Sequence, residues 1–234
     1  DKDLAIGDVV NFTATASEAV QSNSGTATVT MTLSNLATVP MTRSASDSTV
    51  FTGSYTVAEG DATSTDLKVA SYAAGNVVDG SGQALSTTDG EFALTNLTVD
   101  ATRPEATIST TGHSYDSTTG TLTLAGAKLN TLGVADGGSV KDILDFTKLT
   151  WNAVSTASTV TRTLAKSDVA SATVSTTNNE ITIIFDTGTG VGSTALHALS
   201  GFGGTGTKVD TLTVSEGFLK DVFDNASDAQ ATST

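Results

Sequence analysis

Two histidines, two glycine-rich loops and a surplus of carboxylates are the residues of this chain whose types could do chemistry. His113 and His197 are the only imidazoles, and there is no cysteine. A zinc centre needs three or four nitrogen or thiolate ligands, so this set falls short of one. The run Gly201-Phe202-Gly203-Gly204-Thr205-Gly206 fits G-x-G-x-x-G, but a dinucleotide loop must follow a strand and open a helix. Here a strand is expected next, over Val209–Val214. Gly188-Thr189-Gly190-Val191-Gly192-Ser193-Thr194 does follow an apolar strand and enter a short helix. It places Ser193 where the third glycine belongs and has no lysine to serve a P-loop. Both read as loop glycines.

The carboxylates are more numerous. There are 25 acidic residues against 11 basic ones, for a net charge of −14. That balance argues against nucleic acid, whose partners need a basic surface, and against anionic membrane surfaces. The surplus either keeps the chain soluble by self-repulsion or gathers in places on a hard cation such as Ca²⁺, which prefers oxygen ligands. Asp221 and Asp224 can also be posed as the acid pair of a glycosidase. With aromatics at 5% of the chain there is no sugar-binding platform to go with them. The only tryptophan, Trp151, lies in an alternating stretch and reads as core. No G-x-S-x-G elbow is present, so no enzyme is expected.

The elements that must position these groups are short strands. The chain is rich in Thr, Ser, Val and Gly and poor in helix-forming runs, which predicts an all-β fold. Strands are expected over 8–17, 26–33, 49–57, 66–72 and 92–99. In the second half they are expected over 106–109, around Leu122 and Leu124, and over 149–154, 160–164, 172–175, 181–185 and 209–214. Ser139 is placed to cap one helical turn carrying Val140, Ile143 and Leu144, and 193–200 reads as a second short helix. About seven strands per hundred residues is the density of an immunoglobulin-like sandwich.

The division falls at Val99-Asp100-Ala101-Thr102-Arg103-Pro104, where Pro104 fixes its own φ and pushes Arg103 toward extended backbone. We expect two tandem immunoglobulin-like β-sandwich domains, residues 1–102 and 103–234, the second larger and with short helical insertions. No apolar run is long enough to cross a bilayer. The opening Asp1-Lys2-Asp3 carries neither initiator Met nor signal peptide, as in an excised fragment. Three glycosylation sequons, at Asn11, Asn96 and Asn225, are short enough to arise by chance.

Several stretches carry a resemblance. Gly7-Asp8-Val9-Val10-Asn11-Phe12-Thr13 leading to Ser17-Glu18-Ala19-Val20 resembles the opening of bacterial immunoglobulin-like repeats in large surface proteins. Tyr55-Thr56-Val57-Ala58-Glu59-Gly60-Asp61 and Val99–Pro104 are similar to their middle and linker. Residues 216–226, Glu-Gly-Phe-Leu-Lys-Asp-Val-Phe-Asp-Asn-Ala, are similar to their ending, with Asp224 in place of the usual Gly before the Asn. Such repeats occur in giant RTX-type adhesins, biofilm proteins and S-layer-like proteins.

The resemblance implies an extracellular extender module whose partners are neighbouring repeats of the same polypeptide, with Ca²⁺ at the junctions. In that arrangement Asp100, Asp221, Asp224 and Asn225 would serve the joint. Asp1, Asp3, Glu18 and Asp79 would face a preceding module. Against this stands the simpler reading that Asp79, Asp221 and Asp224 only cap their own turns. Two rival functions remain: a matrix or S-layer assembly subunit, and an adhesin whose insertions at 126–146 and 186–208 bind a host or matrix ligand.

Overall fold

The computed structural model describes residues 2–86, 92–94, 96–107, 113–203 and 208–233. The chain divides into two compact units, Asp1–Thr102 and Arg103–Thr234, each built mainly of strands around its own apolar core. Among the described residues no helix is long and apolar enough to cross a membrane.

The first unit contains β1 (Lys2–Leu4), β2 (Val9–Thr15), β3 (Gln21–Ser22), β4 (Thr28–Leu33), β5 (Thr38–Arg43), β6 (Val50–Thr56), β7 (Lys68–Ala73), β8 (Val77–Val78), β9 (Phe92–Ala93) and β10 (Leu97–Val99). Six of them form one sheet in the order β2-β6-β5-β4-β7-β9. Alternation decides its faces: Val29, Met31 and Leu33 of β4 are buried while Thr30 is exposed, as period-two geometry requires. Two small pairs complete the unit, β1 with β10 in parallel and β3 with β8 antiparallel.

Pro40 explains why β5 was not legible. A proline supplies no N–H to a ladder, and β5 meets β6 only at Thr42 and Arg43, beyond the proline. Toward β4 the pairing runs unbroken from Thr28↔Thr42 to Thr32↔Thr38.

Among its described residues the second unit contains β11 (Glu105–Thr107), β12 (His113–Asp116), β13 (Thr121–Ala127), β14 (Leu149–Val154), β15 (Thr159–Thr163), β16 (Val169–Ser175), β17 (Glu180–Phe185), β18 (Thr211–Val214) and β19 (Gln230–Ser233), with one α-helix, α1 (Gly192–His197). One sheet is ordered β11-β13-β17-β16 with β12 also on β13, and the other β15-β14-β18-β19. Leu122, Leu124, Ile181 and Ile183 from the first sheet meet Leu149, Trp151, Leu212 and Val214 from the second in one buried cluster.

The turn expected near Ser139 is present but built differently. Ser139 bridges Thr173, and Leu144 N–H bonds Val140 O at 3.1 Å. Val140 and Leu144 are buried while Ile143 is 40% exposed.

Candidate functional sites

The acidic residues serve mainly to fasten turns. A carboxylate accepts the N–H two residues ahead in Asp47–Thr49, Asp79–Ser81, Asp100–Thr102, Asp116–Thr118, Asp145–Thr147, Asp186–Gly188 and Asp221–Phe223, at 2.6–3.0 Å. Five of these read Asp-x-Ser or Asp-x-Thr in sequence. That pattern is a readable signal for such turns, because the hydroxyl can join the same oxygen. Ser81, Thr49 and Thr147 do so.

Asp221 is the most developed case. Its Oδ1 accepts from Phe223 N and Asn225 N, and its Oδ2 accepts from Asn225 Nδ2, each at 2.9 Å. Both residues are buried. Three of the roughly four acceptor positions of a carboxylate are therefore engaged within five residues of chain. Asp224 takes the left-handed conformation, φ 75°, and pairs with Lys220 at 2.8 Å with both side chains largely exposed. An exposed pair of this kind contributes little.

In the first unit Asp79 Oδ1 accepts from Ser81 N, Gln83 N and Ser81 Oγ, each at 2.8 Å. Those bonds, Gln83 N–H first, hold its carboxyl below the usual range. Buried Asp100 takes Thr102 N–H on its side chain and donates its own N–H to Leu4 O. Asp3 lies exposed on β1 and Glu18 exposed beyond β2. Asp1 lies outside the described residues. Among the described residues no three of His, Cys, Asp and Glu gather as a metal ion would require. The carboxylates of Asp79, Asp100 and Asp221 are thus already bonded within their own turns.

The glycine loop at 188–194 is closed to phosphate. Gly192 has φ 50°, and a Cβ there would stand 2.1 Å from Asp186 O, so only glycine fits. Its N–H donates to Asp168 Oδ1 at 3.2 Å, so a protein carboxylate already occupies the start of α1. Of the other glycine run, 204–206 lie outside the described residues.

A second feature was only half legible. Tyr115 is ringed by Trp151, Phe185, His197 and Phe202, with ring centroids 4.9–6.0 Å away, and its hydroxyl lies 2.9 Å from His197 Nε2. Asp210 accepts from Trp151 Nε1 (2.9 Å), Gly203 N (2.9 Å) and Val154 N (3.0 Å). Beside this cluster opens a cavity of about 290 Å³ lined by His113, Tyr115, Leu122, Trp151, Asp210 and Leu212 among others. Trp151 is 7% exposed and belongs to the core. The polar tips that an aromatic binding site would present are largely engaged with one another. The insertion at 126–146 contributes nothing to this lining.

In the first unit a larger, apolar hollow of about 400 Å³ lies against Ala14, Val29, Met41, Phe51, Tyr72 and Leu85. Thr15, Ser17 and Ser86 line it as well. No protein-family model matches the chain, and comparison with curated proteins finds no match.

Proposed function

We propose that the chain is a structural extender: two immunoglobulin-like β units in a long surface or secreted bacterial protein, holding other parts of it at a distance. The observation that carries this reading is the pairing of the first unit's end strands. The chain enters that unit through β1 and leaves it through β10. The two run parallel, with Lys2↔Leu97, Asp3↔Thr98 and Leu4↔Val99 in register. Lys2 N–H to Asn96 O and Asp100 N–H to Leu4 O, both 3.0 Å, close the ladder at either end.

Tension applied through the chain pulls the start of β1 and the end of β10 in opposite directions along the strands. All the ladder bonds then load together, where antiparallel ends would open one bond at a time. Leu4 and Val99 are fully buried, so the same motion must drag apolar side chains out of the core. A module that transmits force needs this property, and a catalyst does not. The turn-bound carboxylates support the same reading, since they brace turns in both units.

Single-molecule pulling on the full chain tests it. The slanted bonding of parallel strands assigns Thr98 N–H to the β1 ladder, so Thr98→Pro removes one clamp bond. The variant should unfold its first unit at clearly lower force with a similar solution melting temperature. Equal forces for both chains would reject the extender reading. Ca²⁺ at the joint is a separable part of the proposal: EDTA should lower the melting temperature if it is bound, and unchanged melting removes it.

A further inference from the structure

We infer that β2 is a self-association edge, through which two copies of this chain join their six-stranded sheets across a twofold axis at Phe12. β2 ends its sheet and pairs only with β6 among the described residues. That pairing runs without a shift from Val9↔Thr56 to Thr15↔Val50. Among the described residues no strand pairs with the far side of β2, which leaves a seven-residue edge with no charge, proline or bulge within it. Natural sheets block such edges because they template pairing with another chain.

Among the described residues the ends of the larger sheets other than β2 are covered, short, charged or irregular; β12, on the same edge of β13 as β11, has four residues and carries His113 and Asp116. The edge of β16 is covered by backbone bonds from Gly137 N to Val174 O, Val174 N to Gly138 O and Val140 N to Ala172 O. β9 is two residues long, β11 three and carrying the Glu105–Lys128 ion pair. β15 bears Arg162, and β19 meets its neighbour with a register shift. Among the described edge strands, β2 is the one that combines length, regularity and neutrality.

Which copy-to-copy register fits follows from the bonds already present. Ala16 N–H donates to Thr49 O and Val57 N–H to Asp8 O, so the even positions of β2 turn their polar backbone toward β6. By alternation, Val9, Asn11, Thr13 and Thr15 turn theirs outward. An antiparallel copy centred on Phe12 sets Val9 against Thr15 and Asn11 against Thr13. Each of those pairs is of the hydrogen-bonded kind, giving about eight new N–H···O bonds.

The flanking acids select a second copy in this register. In a chain of net charge −14, like charges would oppose most self-pairings. Centring on Phe12 places Asp8 opposite Ala16 and Glu18 opposite Ile6. A shift to Thr13 would set Asp8 against Glu18, and a shift to Asn11 would shorten the overlap. Two-fold pairing also keeps faces matched, with buried Phe12 meeting Phe12 and exposed Asn11 meeting exposed Thr13. The contact is isologous, so it closes as a dimer.

Sedimentation of the full chain across a concentration series tests this, using outward-facing positions that leave the fold intact. Asn11→Lys with Thr13→Lys sets lysine against lysine twice and should weaken dimerisation by about tenfold. Asn11→Lys with Thr13→Glu sets lysine against glutamate in the same pairs and should restore it. Because the chain has no cysteine, a mixture of Asn11→Cys and Thr13→Cys chains should form disulfide dimers faster than either variant alone. A monomer at every concentration overturns the inference. So does a dimer that responds equally to both charge variants, or a mixture that cross-links no faster than its components.

Discussion

The Asp168 carboxylate lies 2.6 Å from Arg162 Nη2 and also accepts N–H bonds from Ala165 (2.9 Å) and Gly192 (3.2 Å). One side chain, 3% exposed, thereby ties β15, the short 3₁₀ turn Lys166–Asp168 and the start of α1. Burial pushes its carboxyl up, but the Ala165 and Gly192 amides and the arginine outweigh that and hold it below the usual range.

Removing this group should be the most damaging polar substitution in the second unit. Asp168→Ala leaves two backbone amides and a guanidinium without their acceptor, and is expected to cost about 3–5 kcal/mol. Arg162→Ala should cost less, because the amides still satisfy Asp168. Urea unfolding of the two variants checks the order, and a larger loss for Arg162→Ala would contradict it.

Acid should loosen the turns. Hydrogen bonds from Thr49 to Asp47, from Gln83 and Ser81 to Asp79, from Thr118 and Thr119 to Asp116 and from Thr177 and Ser175 to Asp136 hold these carboxyls below their ordinary value. A carboxyl lowered in the folded state contributes stability that is complete above the unfolded value near 3.9 and is lost as pH falls through the folded one. Melting temperature should therefore stay level from neutral pH to about 5 and fall steeply below about 4. Asp79→Asn with Asp116→Asn keeps acceptors that cannot titrate and should make that fall shallower.

The first unit has an alkaline counterpart. Tyr55, 5% exposed, donates to Asp61 Oδ2 at 2.7 Å and accepts from Asn35 Nδ2 at 2.8 Å. Burial first, then the bond to Asp61, pushes its hydroxyl up to about 12. A phenol raised in the folded state contributes stability that is complete below its unfolded value near 10 and is lost as pH climbs through the folded one. Ultraviolet titration should show a tyrosine ionising at the end of the alkaline range. Tyr55→Phe should cost about 1–3 kcal/mol by leaving Asn35 and Asp61 without this partner.

Trp151 offers a reporter confined to one unit. It is the sole tryptophan and its indole N–H is held by Asp210. Asp210→Ala should shift its emission and destabilise only the second unit, by about 1–3 kcal/mol. Circular dichroism, which reads both units, should then show a transition at lower denaturant that the fluorescence follows and a later one that it does not.

Strands with clean alternation were legible, as in β4, where Thr28–Leu33 falls within the expected 26–33. So was α1, within one residue at its start and three at its end. What escaped was pairing at a distance. β1, β3 and β8 are two or three residues long and carry no period of their own, since partners far along the chain create them. Pro40 disguised β5, and the stretch 92–99 holds two strands, with different partners, where one was expected. At the candidate sites, the turn role of Asp79 and Asp221 was readable as an alternative to metal binding. The Tyr115–Trp151–Phe202 cluster was readable only in its core tryptophan, because its members come from three separate segments.

A framework whose corners are fastened by carboxylates, in a chain with no cysteine, needs no oxidant to mature. The fastening is made wherever pH exceeds about 4. Its loosening requires only protons, and thiol reagents would find nothing to cut.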